Sequence, residues 1–289
     1  MDALVYPYPV KYAELSDNIE LAYVDEGQGH YTLLFIHGLG SYLPAWTKNI
    51  ASLKADYRCV AMDLPNYGKS SPGNFFFSLT FFTLVIDEFI RKLQLKNVIL
   101  VGHSMGGQIA LTMVLNLNTD ILKLVLIAPA GFETFTEPEK LWLRQTYTPA
   151  LTLSATPEQI QQNFNLNFAS NQLPEDAKFM YYDRLRMIED LLYYTGYSNM
   201  ISMCVNAMLE ESVFERLDQL TLPTLVICGK EDFLIPNRLL HPDETTIALA
   251  KRGASRILKS ELVILSPGGH FVQWECAGRV NDAIRDFIR

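Results

Sequence analysis

The sequence predicts an α/β fold with a mostly parallel central sheet flanked by helices, and two observations support this class. Segments with helical spacing, such as 79–93 and 106–117, alternate with short apolar runs, so strands and helices follow one another. The middle runs are continuous and β-branched, which is typical of parallel strands covered on both faces, whereas the first run alternates as a half-exposed antiparallel strand does. The runs lie at 19–27, 32–38, 57–63, 97–104, 122–129, 223–229 and 260–267.

The composition indicates a globular protein and argues against several classes of function. The chain has 289 residues, of which 49% are hydrophobic and 19% charged, so it can bury a sizeable core. Its formal net charge of -8 offers no basic field to neutralise phosphates, and we expect no nucleic-acid partner. No apolar run reaches about 18 residues, so we expect no membrane span.

The N-terminus and the cysteines predict a cytoplasmic protein. Residues 1–10, MDALVYPYPV, have an early acidic residue and no basic flank, which does not fit a signal peptide. The widely scattered Cys59, Cys204, Cys228 and Cys276 are expected to be free and mostly buried, in a reducing compartment. Because no metal-ligand spacing is present, we expect neither a metal nor another cofactor.

One long interval between two predicted strands indicates an insertion. Residues 131–220 are far more than a strand–helix connection needs, and they contain helical patterns such as DAKFMYYDRLRMIEDLLYY. We therefore predict an α/β core formed by residues 1–130 and 221–289, with residues 131–220 as a helical cap over it.

The stretch VILVGHSMGG, residues 98–107, places a serine where a predicted strand ends and a helix begins. Gly102 to Gly106 fit G-x-S-x-G, a tight strand-to-helix turn that exposes a nucleophilic serine. Glycines on both sides avoid clashes, and Ser104 is held in strained backbone geometry at a helix N-terminus that favours a developing anion. The alternative is an ordinary serine in a glycine-rich turn.

A nucleophilic serine needs a base, and the base needs an acid that orients it. Among the five histidines, His270 follows the last predicted strand, which returns it to the same sheet edge as the serine. Asp232 follows the preceding strand, and its neighbour Glu231 is the nearest rival. The strand before that offers no acid until Glu133, which argues against an acid there. A packing histidine and a helix-capping aspartate are the alternatives.

The segment IHGLG, residues 36–40, predicts the anion-binding part of the site. It follows a strand and opens a glycine-rich loop, in which Gly38 is expected to permit a tight turn. The backbone N–H groups of Leu39 and Met105 would then point at the same spot. Two such donors can each contribute a few kcal/mol to the stability of a transition state.

The chain resembles the α/β-hydrolase superfamily over essentially its whole length, because it contains five of the superfamily's motifs in the expected order and spacing. The G-x-S-x-G turn around Ser104, called the elbow below, is similar to those of monoglyceride lipases and small esterases. The last motif, together with a helical cap, resembles the carbon–carbon hydrolases that cleave ring-fission products. The latter usually have Asn and Trp where this chain has His103 and Phe271. The second motif, residues 63–70, is similar to the D-x-x-G-x-G-x-S turn of the family, with Asn66 where glycine is usual. We expect this loop to be structural and attach no role to Asp63. The motifs are HGLG, DLPNYGKS, GHSMGG, GKEDFLIP and GGHFVQWE.

The resemblance implies a serine hydrolase that cleaves a small-molecule carboxylic ester through an acyl-enzyme. Ser104 would attack, His270 would move the proton and Asp232 would orient His270. The cap contains many aromatic and methionine side chains, among them Phe164 and Tyr194. We expect most of them to pack the cap helices onto the core, and a few to line an apolar pocket over Ser104 that favours an apolar acyl group.

Several alternatives stay open at this point. Carbon–carbon bond hydrolysis would require a cationic cap residue near Ser104 that holds a carboxylate. Arg184 and Arg186 are candidates, although we expect both at the solvated surface. Amidase, peptidase and perhydrolase activities use the same type of site, and a non-catalytic ligand-binding protein can share the fold. The oligomeric state is left open.

Overall fold

The computed structural model describes residues 4–289, which are organised around one eight-stranded sheet. Strand β2 pairs antiparallel with β1 and β4, and the remaining pairs are parallel. The order across the sheet is β1-β2-β4-β3-β5-β6-β7-β8. The strands are β1 (Lys11–Glu14), β2 (Glu20–Glu26), β3 (Thr32–Ile36), β4 (Arg58–Met62), β5 (Val98–His103), β6 (Ile121–Ile127), β7 (Thr224–Gly229) and β8 (Ser260–Leu265).

The helices cover both faces of this sheet. On one face the core contains side chains of α2, α3 and α9, and on the other it contains side chains of α1 and α11. Residues of β5 alternate between these two cores: Leu100 belongs to the first and Ile99 to the second. The helices are α1 (Thr47–Leu53), α2 (Leu79–Lys92), α3 (Met105–Asn116), α4 (Glu137–Thr146), α5 (Pro149–Leu153), α6 (Pro157–Asn165), α7 (Lys178–Glu189), α8 (Leu191–Glu210), α9 (Thr246–Ser255), α10 (Val272–Glu275) and α11 (Ala277–Ile288).

The predicted fold class is confirmed, and each apolar run contains a strand. Burial on both faces explains why the middle runs do not alternate. The short edge strand β1 escaped prediction, because three of its four residues are exposed and it carries no apolar run.

Five helices, α4 to α8, lie between β6 and β7, and residues 128–223 are called the β6–β7 segment below. Pro138, Pro149 and Pro157 stand in the first turns of α4, α5 and α6, where a missing N–H costs nothing. The segment contacts loops that follow sheet strands: Arg184 donates to the carbonyl of Gly40, beyond β3. It therefore packs at the carboxyl edge of the sheet.

All four cysteines are free and buried, as the sequence predicted. Over residues 4–289, no helix combines the length and the hydropathy that crossing a membrane requires.

Candidate active site

Ser104 lies at the junction of β5 and α3 in a strained backbone conformation. Its φ of 53° and ψ of -119° are a combination that residues with a side chain rarely adopt. The surrounding backbone fixes this geometry, because the Ser104 N–H donates to the carbonyl of Ile127 at 3.0 Å. The Ser104 carbonyl accepts from the N–H groups of Gly107 at 2.9 Å and Ala130 at 3.0 Å.

The glycines of the elbow are required by close approach of the backbone. A Cβ atom on Gly106 would lie 2.3 Å from the carbonyl oxygen of Ile36, at the end of β3. A Cβ atom on Gly102 would lie 2.4 Å from the carbonyl oxygen of Gly106. Both distances are far below contact, so the helix can begin this close to the sheet only with glycine at these positions.

His270 and Asp232 form a buried hydrogen-bonded pair. His270 Nδ1 lies 2.8 Å from Asp232 Oδ2, and the two residues are 4% and 1% exposed. The other carboxylate oxygen, Oδ1, accepts from the N–H groups of Leu234 and Ile235, which fixes the carboxylate. Since a carboxylate only accepts, the pair places the proton on Nδ1 and leaves Nε2 of His270 with its lone pair.

The two rival acids have other partners. Glu231 accepts from the Ser266 hydroxyl at 2.8 Å and from the Gly268 N–H at 3.0 Å, so it holds the loop that leads to His270. Glu133 pairs with His241 instead. Of the three acids considered from sequence, Asp232 is thus the one that contacts His270.

Ser104 and His270 belong to adjoining loops. Nε2 of His103, the residue before Ser104, lies 3.0 Å from the carbonyl oxygen of His270, and the two imidazole rings are 4.8 Å apart. No hydrogen bond joins the Ser104 hydroxyl to His270 within residues 4–289. Such bonds are commonly long in a substrate-free enzyme and tighten when the substrate binds.

The loop after β3 forms a turn beside Ser104. The Ser41 N–H donates to the carbonyl of Gly38 at 3.2 Å, and the positive φ of 67° lies at Gly40. The sequence predicted that Gly38 permits a tight turn, whereas the structure requires glycine at this position for a different reason. A Cβ atom on Gly38 would lie 2.9 Å from Cβ of Ser104, so it is close approach to the serine that requires glycine there.

The amides of Leu39, which follows Gly38, and of Met105, which follows Ser104, have no protein partners among the residues that the structure describes. In the described part of the chain, neither N–H donates to a protein acceptor. Because unpaired backbone donors at a helix start and in a turn are suited to an anion, this arrangement fits an oxyanion hole.

His37 supports this turn as a neutral histidine. Its Nδ1 lies 2.9 Å from the carbonyl oxygen of Gly38, and its Nε2 accepts from the N–H of Leu64 at 3.1 Å. Complete burial lowers the pKa of His37 to about 4, so the ring carries no charge near neutral pH.

Asp63 carries the structural role expected of its loop, although no role was attached to this residue itself. The carboxyl is fully buried and accepts from the N–H groups of Leu43 at 2.7 Å and Lys69 at 2.8 Å, and from the hydroxyl of Tyr6. Loss of solvent raises its pKa to about 6. The D-x-x-G-x-G-x-S pattern was the available signal. Asn66 fits its unusual place because its φ of 65° is one that asparagine tolerates.

Two cavities adjoin the turn that contains Leu39. The inner cavity, which Tyr67 and Phe271 line, has a volume of about 70 Å³. The outer cavity, which Tyr147 and Gln159 line, has a volume of about 500 Å³. Leu39, Gly40 and Arg184 line both, whereas Ser104 is not among the lining residues of either. Phe164 and Tyr194, two of the aromatic residues in the interval 131–220, line the outer cavity together with Tyr147.

Arg184 is half-buried and lines both cavities, whereas we expected it at the solvated surface. Arg186 is exposed, as expected, and pairs with Asp183 at 2.8 Å. Arg184 Nη2 donates to the carbonyl of Gly40 at 2.7 Å, and the guanidinium lies 4.6 Å from the ring centre of Tyr197. Its Nε is buried without a hydrogen-bond partner. Helix periodicity alone did not reveal that α7 points this side chain at the cavities.

Residues 31–277 match the family model of the α/β hydrolase fold. The protein belongs to the α/β hydrolase family. Family membership, together with this geometry, supports hydrolase activity of the α/β hydrolase type.

Relatives of this α/β hydrolase have diverse activities. The chain is 28% identical over 277 residues to the dihydrolipoyllysine-residue acetyltransferase component of the acetoin cleaving system of Cupriavidus necator, covering 94% of this chain and 67% of that protein. It is 26% identical over 292 residues to a 2-hydroxy-6-oxononadienedioate/2-hydroxy-6-oxononatrienedioate hydrolase of Paraburkholderia xenovorans, covering 96% and 94%. An esterase from Exiguobacterium antarcticum has the same fold, with a TM-score of 0.78, 22% identity, and coverage of 96% and 98%.

Proposed function

We propose that this protein is a serine hydrolase that cleaves a small-molecule carboxylic ester through an acyl-enzyme. The observation that carries the proposal is the buried 2.8 Å hydrogen bond between His270 and Asp232, next to the strained Ser104. The unpaired amides of Leu39 and Met105 support it, because a negatively charged tetrahedral intermediate needs donors of this kind.

The proposed reaction has two halves that use the same groups. The Ser104 hydroxyl attacks the ester carbonyl while Nε2 of His270 takes its proton, and the amides of Leu39 and Met105 bind the oxyanion. His270 then gives the proton to the leaving alcohol, and the acyl group remains on Ser104. Water attacks this acyl-enzyme with His270 again as base, which releases the acid and restores the serine.

Residues 131–220 are proposed to act as a cap that selects an apolar acyl group. The outer cavity lies between these residues and the turn of Leu39, with Tyr147, Ile160 and Phe164 in its wall. A helical cap excludes water from the reacting ester. We place the enzyme in the cytoplasm, because its four buried free thiols fit a reducing compartment.

Labelling with a fluorophosphonate tests the nucleophile and separates a catalyst from a binding protein. The wild type should form a covalent adduct on Ser104 and hydrolyse activated esters, with butyrate and longer acyl groups ahead of acetate. Each well-buried methylene should improve kcat/KM by about tenfold, the low end of the range of about 1–3 kcal/mol that one methylene can contribute. Ser104→Ala should lose the adduct and about 10⁴-fold or more of the hydrolysis, with an unchanged melting temperature.

The matched control for this test is Ser255→Ala, on the exposed end of α9, which should keep both the adduct and the rate. Hydrolysis that survives in Ser104→Ala would remove Ser104 as the nucleophile. Absence of labelling and of hydrolysis in the wild type would favour a ligand-binding protein instead.

Carbon–carbon bond hydrolysis is the second candidate, and Arg184 is the observation that favours it. A buried guanidinium nitrogen without a partner, beside a cavity that reaches Leu39, suits a substrate carboxylate. The relative from Paraburkholderia xenovorans is named for a dicarboxylate substrate, 2-hydroxy-6-oxononadienedioate.

Pairs of substrates with and without a free carboxylate distinguish the two candidates. If the substrate is anionic, Arg184→Gln should lower kcat/KM at least about tenfold more for the anionic member of each pair than for the neutral one. Arg91→Gln on α2 is the control, since that side chain is exposed and lines neither cavity, and it should leave the ratio unchanged. An equal loss for both members would mean that Arg184 acts only through the carbonyl of Gly40.

A further inference from the structure

The N-terminal strap, residues 4–8, forms part of the inner cavity although it belongs to no helix or strand. Leu4 is 3% exposed and its neighbour Val5 is 77% exposed, so the strap turns one side chain inward and the next outward. Leu4 lines the inner cavity together with Leu39, Tyr42, Tyr67, Gly68 and Phe271. A side chain from the start of the chain thus shares a cavity with the oxyanion turn and the residue after His270.

Side-chain contacts of Tyr6 anchor the strap in this position. Its hydroxyl donates to the buried carboxyl of Asp63, and its ring packs edge-on against Tyr42 with 6.0 Å between ring centres. The ammonium of Lys69 lies 5.0 Å from the centre of the Tyr6 ring. These contacts hold Leu4 against the cavity.

The anchor of the strap is also the anchor of the oxyanion loop. Asp63 Oδ2 accepts from Tyr6, while Asp63 Oδ1 accepts from the N–H of Leu43, two residues after the turn that ends at Ser41. One buried carboxyl therefore sets the distance between the strap and the loop on the two sides of the inner cavity.

We propose that Leu4 is a specificity-determining residue, and that the strap limits the size of the substrate group held in the inner cavity. This inference rests on the proposed ester hydrolysis. With a volume of about 70 Å³, the inner cavity accepts only a short group, for which Leu4, Leu39 and Phe271 provide an apolar part of the wall. The outer cavity of about 500 Å³ accepts the larger part of the same ester. Loss of three carbons from Leu4 opens the inner wall to a longer group.

Two ester series test this assignment, one that lengthens the acyl chain and one that lengthens the alcohol, in steps of one methylene. Leu4→Ala should move the preferred length in one series by about two to three methylenes and raise kcat/KM of the first excluded ester by about tenfold. Val5→Ala is the matched control, because that side chain faces outward, and it should leave both profiles unchanged. Tyr6→Phe keeps the ring but loses the bond to Asp63, and should shift the profile in the same direction by less.

Binding to the Ser104→Ala background separates this inference from the proposed function. Thermal stabilisation by n-alkyl carboxylates and n-alkyl alcohols should show the same change of preferred length when Leu4→Ala is added. If no ester is cleaved but this preference shifts, ester hydrolysis is wrong and the role of Leu4 stands. If esters are cleaved and neither profile nor preference shifts, the role of Leu4 is wrong.

If none of the variants in the Ser104→Ala background distinguishes between ligands of different chain length, the assignment of Leu4 is also wrong. If Leu4→Ala does not fold, Leu4→Val should shift the preferred length by about one methylene, and an unshifted profile in that folded variant is an equally clear refutation.

Discussion

The backbone N–H of Phe271 donates a 2.8 Å hydrogen bond to the carbonyl of Asn167, which joins the loop of His270 to the β6–β7 segment. Glu275 strengthens this junction, because one carboxylate oxygen accepts from Ala169 at 3.0 Å and the other from Gly269 at 2.7 Å. The position of the candidate base is therefore set by the β6–β7 segment as well as by the sheet.

Glu275→Gln tests this junction. The amide nitrogen that replaces one oxygen would face a backbone N–H, so one of the two bonds is lost at a cost of about 1–3 kcal/mol. We expect a lower free energy of unfolding in urea and a several-fold lower kcat, because His270 loses a support. Glu261→Gln, an exposed change on β8, is the control. Equal effects of the two variants would show that the junction does not position His270.

Asp232→Asn should lower kcat by about 10⁴-fold, because the tautomer of His270 is no longer fixed. Glu231→Gln keeps one oxygen for the Ser266 hydroxyl or the Gly268 N–H, and should lower kcat by less than about tenfold. Steady-state kinetics of the two variants on one activated ester compare their kcat values directly. Their melting temperatures show whether both are folded. A larger loss in Glu231→Gln would transfer the role of the acid from Asp232 to Glu231.

Gly38→Ala should reduce activity more than stability. The new methyl group would lie 2.9 Å from Cβ of Ser104 and 3.0 Å from Nδ1 of His103, so the turn that carries Leu39 must move away from the serine. We expect at least about a hundredfold loss of kcat, as for the removal of one oxyanion donor.

Gly196→Ala, in the middle of α8, is the control for this glycine. A Cβ atom there meets no atom within 4 Å, so the change should leave kcat unchanged and stabilise the helix by about 0.5–1 kcal/mol. If Gly38→Ala retained full activity, the Leu39 amide would not bind the oxyanion.

The parts that the sequence predicted well depend on local patterns. Continuous apolar runs located the parallel strands, because burial on both faces removes alternation from the sequence itself. The elbow was recognisable since the strain at Ser104 and the close approach at Gly106 require particular residue types within five positions. The candidate acid had less local support, and the preference for Asp232 over Glu231 relied on its place after the strand and on the chain order Ser104, Asp232, His270.

The features that escaped prediction depend on contacts between distant parts of the chain. Arg184 contacts Gly40 across 144 positions, and no local pattern shows which face of α7 meets that turn. Leu4 lies in a segment without periodicity, so its burial follows only from where Tyr6 meets Asp63. The buried Asp63 was visible as part of a motif, but its three donors come from three separate segments.

The neutral state of His37 predicts a specific dependence of stability on pH. Burial lowers the pKa of His37 from 6.5 to about 4, so the unfolded chain binds a proton that the folded chain does not bind between these values. The contribution of His37 is therefore fully present above pH 6.5 and is lost as the pH falls. From pH 7 to pH 5 this loss is about 2 kcal/mol.

His37→Gln isolates the contribution of His37 to the pH dependence of stability. The glutamine side-chain oxygen can still accept from the N–H of Leu64, while the titrating group is gone. The free energy of unfolding in urea, measured from pH 7 to pH 5, should fall less in the variant than in the wild type by about 2 kcal/mol. Asp63→Asn is the control of opposite sign: because the pKa of Asp63 is raised to about 6, the folded state binds its proton first and gains stability as the pH falls. Because Asp63→Asn lacks this gain, its free energy of unfolding should fall more steeply from pH 7 to pH 5 than that of the wild type. Parallel pH curves for His37→Gln and the wild type would mean that the pKa of His37 is not lowered in the folded protein, and that the turn of Leu39 is held by a different hydrogen-bond pattern.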